Sequence, residues 1–432
     1  MREETVFRNS LWLLSALLCL AGTWLCGQRV LVAHQIADAA AHDRPRGNLS
    51  DLYPRWLGAR ELLLYGRNPY SAEVTRDIQA GYYGRPLDAS RPGDPKDQQG
   101  FAYPVYVVFY LAPTVRLPFD VVRKGFLWVL LGLTIVSVPL WLRILRWPVA
   151  PWAQACTLAW TLGSLAVMQG LKLQQMTLFV AALVAIAIAL LVTDHAISAG
   201  ILLALATIKP QVVWLLLFWL AIWTVGDLKR RYRWAVSFLL TMTILLVAAE
   251  LALPNWIPRF WQAVREYRGY ADAVPLVDKL IPPPWSRLLE LGAGIATAYA
   301  CWRNRAQGTD AFAATTCLVL AVTLLIIPTY SLYNQVLLLP SLLLLARERQ
   351  AIWRSSRAGR VLLVVAVILL VWPWLSSTVL AGLSFVLPPE VVQRAWAVPG
   401  WTVLTLPVAV AALMLIVAYR GSVAASAGRR TA

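Results

Sequence analysis

Several ionisable side chains lie within or beside apolar segments, where an uncompensated charge is costly and therefore points to a function. Lys209 is the most informative of them, because Pro210 interrupts the helix beside it and lets the ammonium group line a cavity. Lys172 is a further candidate within an apolar segment, whereas Glu250 and Glu290 are close to predicted helix ends and can reach water. Lys209 is therefore the first candidate for a functional group in the apolar part of the chain.

A helix signal surrounds Asp51. Ser50 or Asp51 can cap a helix over 52–65, with Pro54 in its first turn and Gly66 as its C-terminal stop. The apolar residues of this run fall roughly on one helical face: Leu49, Leu52, Trp56, Leu63 and Leu64. We therefore expect an amphipathic helix that lies on the outer membrane surface. Asp51 is then either a helix cap or a carboxylate held at the lipid–water boundary.

A second polar segment, 254–285, contains several aromatic and basic residues and ends in a run of prolines. Its aromatic content is typical of the belt that anchors a protein at a membrane interface. Arg259 and Arg265 are candidates to bind a phosphate group through charged hydrogen bonds. The segment also fits a solvated connection with aromatic anchors, and the residues alone leave both interpretations open.

The composition indicates which elements must position these residues. The chain has 432 residues, 59% hydrophobic and 14% charged, whereas soluble domains carry about 25% charged residues. An ordinary soluble enzyme is therefore excluded, and long apolar runs predict membrane-spanning helices. The five cysteines are scattered and only three histidines are present, so neither a disulfide framework nor a metal centre is predicted. The apolar runs are 10–33, 103–115, 125–142, 152–170, 176–193, 196–208, 210–226, 234–253, 286–303, 310–328, 332–346, 361–378 and 401–419.

The net charge of +17 is concentrated in four short connections, which the excess of Lys and Arg assigns to the cytoplasm. They contain Lys229, Arg230, Arg231 and Arg233; Arg303 and Arg305; Arg347, Arg349, Arg354, Arg357 and Arg360; and Arg420, Arg429 and Arg430. The segments 34–102 and 254–285 then face outside, and both termini lie inside. The charge is an orientation signal, so no nucleic-acid partner is predicted.

The run 103–115 is too short to cross a membrane and contains Pro104 and Pro113. We expect a broken or re-entrant helix there, because non-helical backbone is tolerated at that depth when protein or a watery cavity lines it. The prediction is a single all-α domain over 1–432, an integral membrane protein with about 12 crossings.

Several blocks of sequence form an ordered set. The first block runs from Asp51 to Tyr70. The later blocks are Phe101-Ala102-Tyr103-Pro104 with Ala112-Pro113, Gln175-Met176-Thr177-Leu178, the run from Ala199 to Pro210, and Ser331-Leu332-Tyr333-Asn334. In this order they resemble glycosyltransferase family 87, a family of polytopic GT-C glycosyltransferases that use polyprenyl-phosphate-mannose, and the first block resembles its first-loop motif. The chain differs where the family often has Tyr-Pro-Pro, Gln-x-Asn and a late histidine: here Val105, Thr177, and Tyr333 or Asn334 stand.

The resemblance implies roles for particular residues. Asp51 becomes the general base, and Lys209 stabilises the leaving phosphate, with Arg259 or Arg265 as weaker choices. Residues that could hold sugar or donor are Arg55, Tyr103, Gln175, Tyr333 and Asn334.

The implied activity is transfer of a sugar, mannose in this family, from a lipid-linked donor to an envelope acceptor such as a glycan or glycolipid. The site would face outward from the plasma (inner) membrane of a bacterium, and the reaction would need no cofactor or metal. The main alternative is a flippase or transporter that grips a lipid phosphate with the same Lys209 and does no chemistry. A non-catalytic membrane partner is a third interpretation.

Overall fold

The computed structural model describes residues 2–270 and 274–428, with side chains from residue 7 to residue 419 in those ranges. These residues form α-helices with a few π-helical and 3₁₀-helical stretches, and none of them is in a β-strand. The fold class predicted from the sequence is therefore confirmed.

The first half of the chain contains eleven α-helices. They are α1 (Arg2–Cys26), α2 (Ala33–Ala41), α3 (Tyr53–Tyr65), α4 (Ala72–Tyr83), α5 (Val107–Leu111), α6 (Phe119–Ile144), α7 (Pro151–Leu162), α8 (Leu165–Lys172), α9 (Met176–Val192), α10 (Ala196–Ala206) and α11 (Pro210–Val225). A π-helical stretch, Gly27–Val32, makes α1 continuous with α2.

The second half adds nine more α-helices among the described residues. They are α12 (Leu228–Ala252), α13 (Trp256–Tyr270), α14 (Leu276–Leu280), α15 (Trp285–Asn304), α16 (Thr309–Ile326), α17 (Leu339–Ser355), α18 (Arg357–Leu383), α19 (Pro389–Gln393) and α20 (Thr405–Gly428). A 3₁₀-helix, Leu332–Leu338, leads into α17. Arg429 and Arg430, which belong to the predicted cytoplasmic tail, lie outside the described residues.

Six helical segments of the described chain are long and apolar enough to cross a membrane. They are Phe7–Ala41, Phe119–Ile144, Leu228–Ala252, Thr309–Ile326, Arg357–Leu383 and Pro389–Tyr419. The pair α8 and α9 is bent by 118° and counts as a seventh if it is one broken span, and α10 and α11 are shorter apolar helices. The chain is therefore a multi-pass membrane protein, while the larger number of crossings predicted from the sequence stays a prediction.

The packing centre is α16, which is buried along nearly its whole length. Trp219 of α11 donates a 3.1 Å hydrogen bond from its indole Nε1 to Thr316 of α16, which ties two apolar helices together. By contrast α12 and α18 present long exposed rows of Leu, Ile and Val, as helices facing lipid do.

The helix after Asp51 is confirmed, but its predicted cap and location are not what the structure shows. Leu52 is the N-cap residue of α3 and no side chain caps it, while Gly66 ends the helix with φ +65°. Leu52 and Trp56 are almost fully buried inside the protein. The helix does not lie on a surface, because it packs against α5 and against the Phe101 ring, which a Cβ on Gly58 would meet at 2.3 Å.

The broken helix predicted over 103–115 is confirmed: α5 has five residues and continues only as a 3₁₀ turn, Ala112–Thr114. The run 152–170 is divided into α7 and α8 at Gly163. A Cβ at Gly163 would lie 2.7 Å from the Cα of Leu20, so this break allows α1 to approach closely. Ser164 then caps α8 by accepting a hydrogen bond from the Val167 amide.

Candidate active site

Polar side chains converge where helices are interrupted. The connection before α3 carries Asp51, the break between α8 and α9 carries Gln175, and the break between α10 and α11 carries Lys209. The 3₁₀-helix Leu332–Leu338 adds Asn334. Interrupted helices leave backbone groups without helical partners and direct side chains inward, and this explains why four distant segments supply one site.

Asp51 is held on three sides. Its amide donates a 2.9 Å hydrogen bond to the Leu173 carbonyl. One carboxylate oxygen, Oδ1, accepts a 3.2 Å hydrogen bond from the Tyr82 hydroxyl, and Oδ2 accepts one from Nε2 of Gln175. Burial raises the pKa of Asp51 above its ordinary value, while Arg55 and the hydrogen bonds from Gln175 and Tyr82 act in the opposite direction.

Gln174 fixes the α8–α9 break against the Asp51 connection. Its side-chain amide donates to the carbonyls of Leu171 and Lys172 at 2.7 and 2.9 Å. Its Oε1 accepts a 2.6 Å hydrogen bond from the Ser50 hydroxyl. Gln174 has φ +49°, a left-handed conformation that lets the chain turn sharply before Gln175. The break is therefore tied to the connection that carries Asp51.

Lys209 is nearly fully buried, with 5% of its surface exposed. Its Nζ donates to the Thr177 hydroxyl at 2.5 Å and to Oε1 of Gln175 at 3.5 Å. It also lies 4.8 Å from the centre of the Tyr333 ring, within range of a cation–π contact. Because Gln175 contacts both Asp51 and Lys209, one amide links the carboxylate to the cation.

Arg55 brings a second cation to the same place. Its Nη1 donates a 2.6 Å hydrogen bond to the Asp51 carbonyl, and its guanidinium stacks 4.3 Å from the centre of the Tyr103 ring. Its buried Nε has no hydrogen-bond partner among the described residues. A guanidinium with an unused donor is suited to an anionic ligand.

A cavity of about 510 Å³ opens beside these cations. Its polar end is formed by Arg55, Lys209, Tyr103, Tyr333 and Asn334. Its other walls are mostly aromatic and aliphatic: Trp214, Met242, Leu246, Trp256, Phe260, Trp261, Val264 and Tyr267. The volume is that of a small-molecule site, and the lining suits a ligand with an anionic end and an apolar end.

The protein-family comparison agrees with this arrangement. Residues 101–328, more than half of the chain, match the model of glycosyltransferase family 87. The chain belongs to glycosyltransferase family 87. No curated protein and no solved structure matches it. The matched segment contains Tyr103, Gln175 and Lys209, while Asp51 precedes it and Tyr333 follows it.

In this family 87 glycosyltransferase the cavity wall formed by α13 differs from the sequence prediction. The helix presents Trp256, Phe260, Val264, Tyr267 and Arg268 to the cavity, a spacing that places them on one helical face. Arg259 and Arg265 point elsewhere because they fall outside this face, and Arg265 is exposed. The structure therefore brings Arg268 to the site in place of the two predicted arginines.

The other ionisable groups selected from the sequence have local partners or lie away from the cavity. Lys172 donates a 3.0 Å hydrogen bond to Gln35, and Glu250 accepts one of 2.7 Å from the Asn255 amide. Sequence reasoning missed Tyr82 and Thr177. The Thr177 hydroxyl accepts the hydrogen bond from Lys209 and donates a 3.0 Å hydrogen bond to Asn334. No spacing in the chain indicates that Tyr82 or Thr177 belongs to the site.

Proposed function

We propose that this glycosyltransferase transfers mannose from a polyprenyl-phosphate-linked donor to an acceptor hydroxyl, with inversion at C1. The observation that carries the proposal is the Gln175 link between the Asp51 carboxylate and the Lys209 ammonium, which lines the polar end of the cavity. A base and a cation held together by one amide are suited to the two charge changes of glycosyl transfer.

Asp51 acts as the general base. The acceptor oxygen attacks C1 of the sugar on the face opposite the phosphate, and the hydroxyl proton passes to Asp51 as the new C–O bond forms. The bond between C1 and the phosphate oxygen breaks at the same time, and the polyprenyl phosphate leaves with its electron pair. Because attack and departure are on opposite faces, the configuration at C1 is inverted.

Positive side chains stabilise the leaving phosphate. Lys209 and Arg55 line the polar end of the cavity, and their charges oppose the negative charge that develops on the departing oxygen. We propose that these cations, and not a metal ion, bind the phosphate.

The apolar part of the cavity suits the lipid portion of the donor. Trp214 and Trp261 line the cavity and are 44% and 57% exposed. Met242 and Leu246 belong to α12, whose other face is exposed and apolar. A donor dissolved in the membrane could therefore enter sideways without leaving the lipid.

We propose that the site faces the outside of the plasma membrane, as the distribution of Lys and Arg predicts. Ser90→Cys introduces a thiol at an exposed position of the 34–102 segment, and Gln350→Cys introduces one at an exposed position in the second half of α17. In intact cells a membrane-impermeant maleimide should label Ser90→Cys and not Gln350→Cys. The reverse pattern would place the site in the cytoplasm.

The activity itself is tested with purified protein in liposomes, radiolabelled polyprenyl-phosphate-mannose and a crude extract of envelope lipids. Transfer of label to a new product, with release of polyprenyl phosphate, is the expected result. Movement of intact donor across the bilayer without turnover would instead show a transporter. Inversion is checked by nuclear magnetic resonance of the anomeric proton in the product.

A further inference from the structure

The acceptor needs a route to Asp51 that the donor does not occupy. Arg55, Tyr103 and Lys209 line the cavity, whereas Asp51 contacts it only through them and Gln175. Opposite Gln175, the Asp51 carboxylate contacts Tyr82 at the end of α4. The side chains around Tyr82 in the 34–102 segment are therefore candidates for an acceptor site.

A second carboxylate, Asp97, lies next to this place. Tyr82 donates to Asp51, and the following residue, Tyr83, donates a 2.7 Å hydrogen bond to the Asp97 carbonyl. The two rings pack edge to face with their centres 4.8 Å apart. Consecutive tyrosines thus connect the Asp51 carboxylate to the backbone of Asp97, and both rings are buried.

The Asp97 carboxylate is oriented but keeps capacity to bind a ligand. Oδ1 accepts a 3.0 Å hydrogen bond from the Gln99 amide nitrogen, and Oδ2 accepts one of 2.8 Å from Nε2 of Gln99. Each carboxylate oxygen can accept about two hydrogen bonds. Asp97 and Gln99 are partly exposed, so the remaining lone pairs can meet hydroxyl groups.

Two aromatic rings of α13 lie beside this segment, because a Cβ on Gly100, three residues after Asp97, would lie 3.5 Å from the Tyr270 hydroxyl. Tyr267 and Tyr270 pack edge to face, with ring centres 5.7 Å apart, and both are partly exposed. Burial and then the nearby Asp97 charge raise the pKa of Tyr267 to about 12, and both causes also raise the pKa of Tyr270. Tyr267 also lines the cavity, so this group of side chains adjoins the proposed donor site.

We propose that Asp97, Gln99, Tyr267 and Tyr270 form an acceptor subsite for an uncharged carbohydrate. This inference rests on the proposed function and adds to it the chemical class of the acceptor. The carboxylate and the amide bind sugar hydroxyls, while the rings contact the C–H face of the sugar. An anionic acceptor is disfavoured because Asp97 and Asp51 are both negatively charged when ionised.

The first experiment measures equilibrium binding of octyl α-D-mannoside to the full-length protein by calorimetry. Asp97→Asn removes the charge at nearly constant shape and should weaken binding about tenfold, the loss expected for hydrogen bonds to a charged group. Asp88→Asn, which removes an exposed carboxylate from the same outer segment, should bind as the unaltered protein does. Equal binding by the unaltered protein and Asp97→Asn would overturn the subsite.

A charged probe adds a test that a merely structural role would not pass. Relative to the unaltered protein, Asp97→Asn should weaken binding of octyl glucuronide, an anion, less than it weakens binding of octyl mannoside. Stronger binding of the anion would also agree with the proposal, because the repelling carboxylate is gone. Tyr270→Leu should weaken binding of both probes, because it removes one ring and leaves the carboxylate. A loss that is equal for both probes in Asp97→Asn would indicate damage to the segment and contradict the proposal.

Turnover separates this inference from the proposed function. With octyl mannoside as acceptor, Asp97→Asn should raise the acceptor KM about tenfold and leave the KM for polyprenyl-phosphate-mannose unchanged. If the unaltered protein binds octyl mannoside through Asp97 but never releases polyprenyl phosphate, the proposed function fails and the subsite stands. If turnover occurs with an unchanged acceptor KM in Asp97→Asn, the subsite fails and the function stands.

Discussion

The two walls of the candidate site are built differently. On one wall Asp51, Gln175 and Lys209 are joined to each other and to backbone carbonyls by hydrogen bonds, and Gln175 and Lys209 are buried. On the opposite wall α13 has only one buried residue, Trp256. Its polar cavity residue Arg268 is exposed.

We interpret this difference as a division of roles, in which one wall carries the reacting groups and the other accommodates the substrates. Groups that take a proton or stabilise a leaving group must be preorganised, because reorientation during the reaction lowers their effect. A wall that contacts a long lipid or a variable acceptor gains from rings and exposed side chains that can adjust. We therefore expect substitutions on the Asp51 wall to cost far more activity than substitutions on α13.

The largest effect is expected at the carboxylate. Asp51→Asn keeps the shape of the side chain but removes the base, and should lower kcat by about 10²–10⁴-fold. Glu73→Gln is the matched control, because Glu73 is an exposed carboxylate on α4, with 70% of its side chain exposed. The base assignment fails if purified, folded Asp51→Asn transfers sugar at the unaltered rate.

The next largest effect is expected at Lys209. Lys209→Met keeps the length of the side chain and removes the charge, so kcat should fall by about 10²–10³-fold, as for loss of a preorganised group that stabilises developing charge. Lys172→Met is the control, since Lys172 lies at the α8 C-terminus and contacts Gln35. Similar losses in both variants would show a general effect of removing a lysine and not stabilisation of the leaving group.

How far the sequence predicts the site depends on whether a residue breaks a local rule. Lys209 could be selected because a charge beside a proline in an apolar run is unusual, and its burial follows from that setting. Asp51 needed the family resemblance, since a carboxylate before a helix is usually a cap. Tyr82 and Thr177 break no rule, and only the folded chain shows that they contact Asp51 and Lys209.

The fold likewise contains features that the local sequence predicts and features that only tertiary contacts show. Apolar runs predict the long helices because hydrophobic length alone determines whether a segment can cross a membrane. The location of α3 was wrong in the prediction, since an apolar face does not reveal whether it meets lipid or another helix. The break between α7 and α8 was also missed, because the close approach of Leu20 to Gly163 is a tertiary contact.

A smaller and more specific effect is expected from Tyr82→Phe, which removes one hydrogen bond to Asp51. If this hydrogen bond contributes about 1 kcal/mol to stabilisation of the transition state, its loss should lower kcat/KM about fivefold. Burial raises the pKa of Asp51, so activity should decline on acidification at a higher pH than for an ordinary aspartate near 3.8. The Tyr82 hydroxyl stabilises the ionised carboxylate, and its removal should therefore shift this acid limb to still higher pH.

The pH profile distinguishes positioning of the base from simple packing. Tyr65→Phe is the control, because Tyr65 is exposed at the end of α3 and should change neither rate nor profile. A Tyr82→Phe variant that is slower but has an unshifted acid limb would mean that Tyr82 supports the fold and does not act on the Asp51 carboxylate.

The smallest effect is expected on the α13 wall, where two arginines one helical turn apart provide an internal comparison. Arg268 lines the cavity and Arg265 does not, so Arg268→Gln should raise the donor KM about twofold to fivefold, as for an exposed charge pair. Arg265→Gln should leave the KM unchanged, and higher salt should reduce the difference by screening. A loss of kcat in Arg268→Gln as large as that in Lys209→Met would contradict the division between the walls, because it would place a catalytic cation on a helix with a single buried residue.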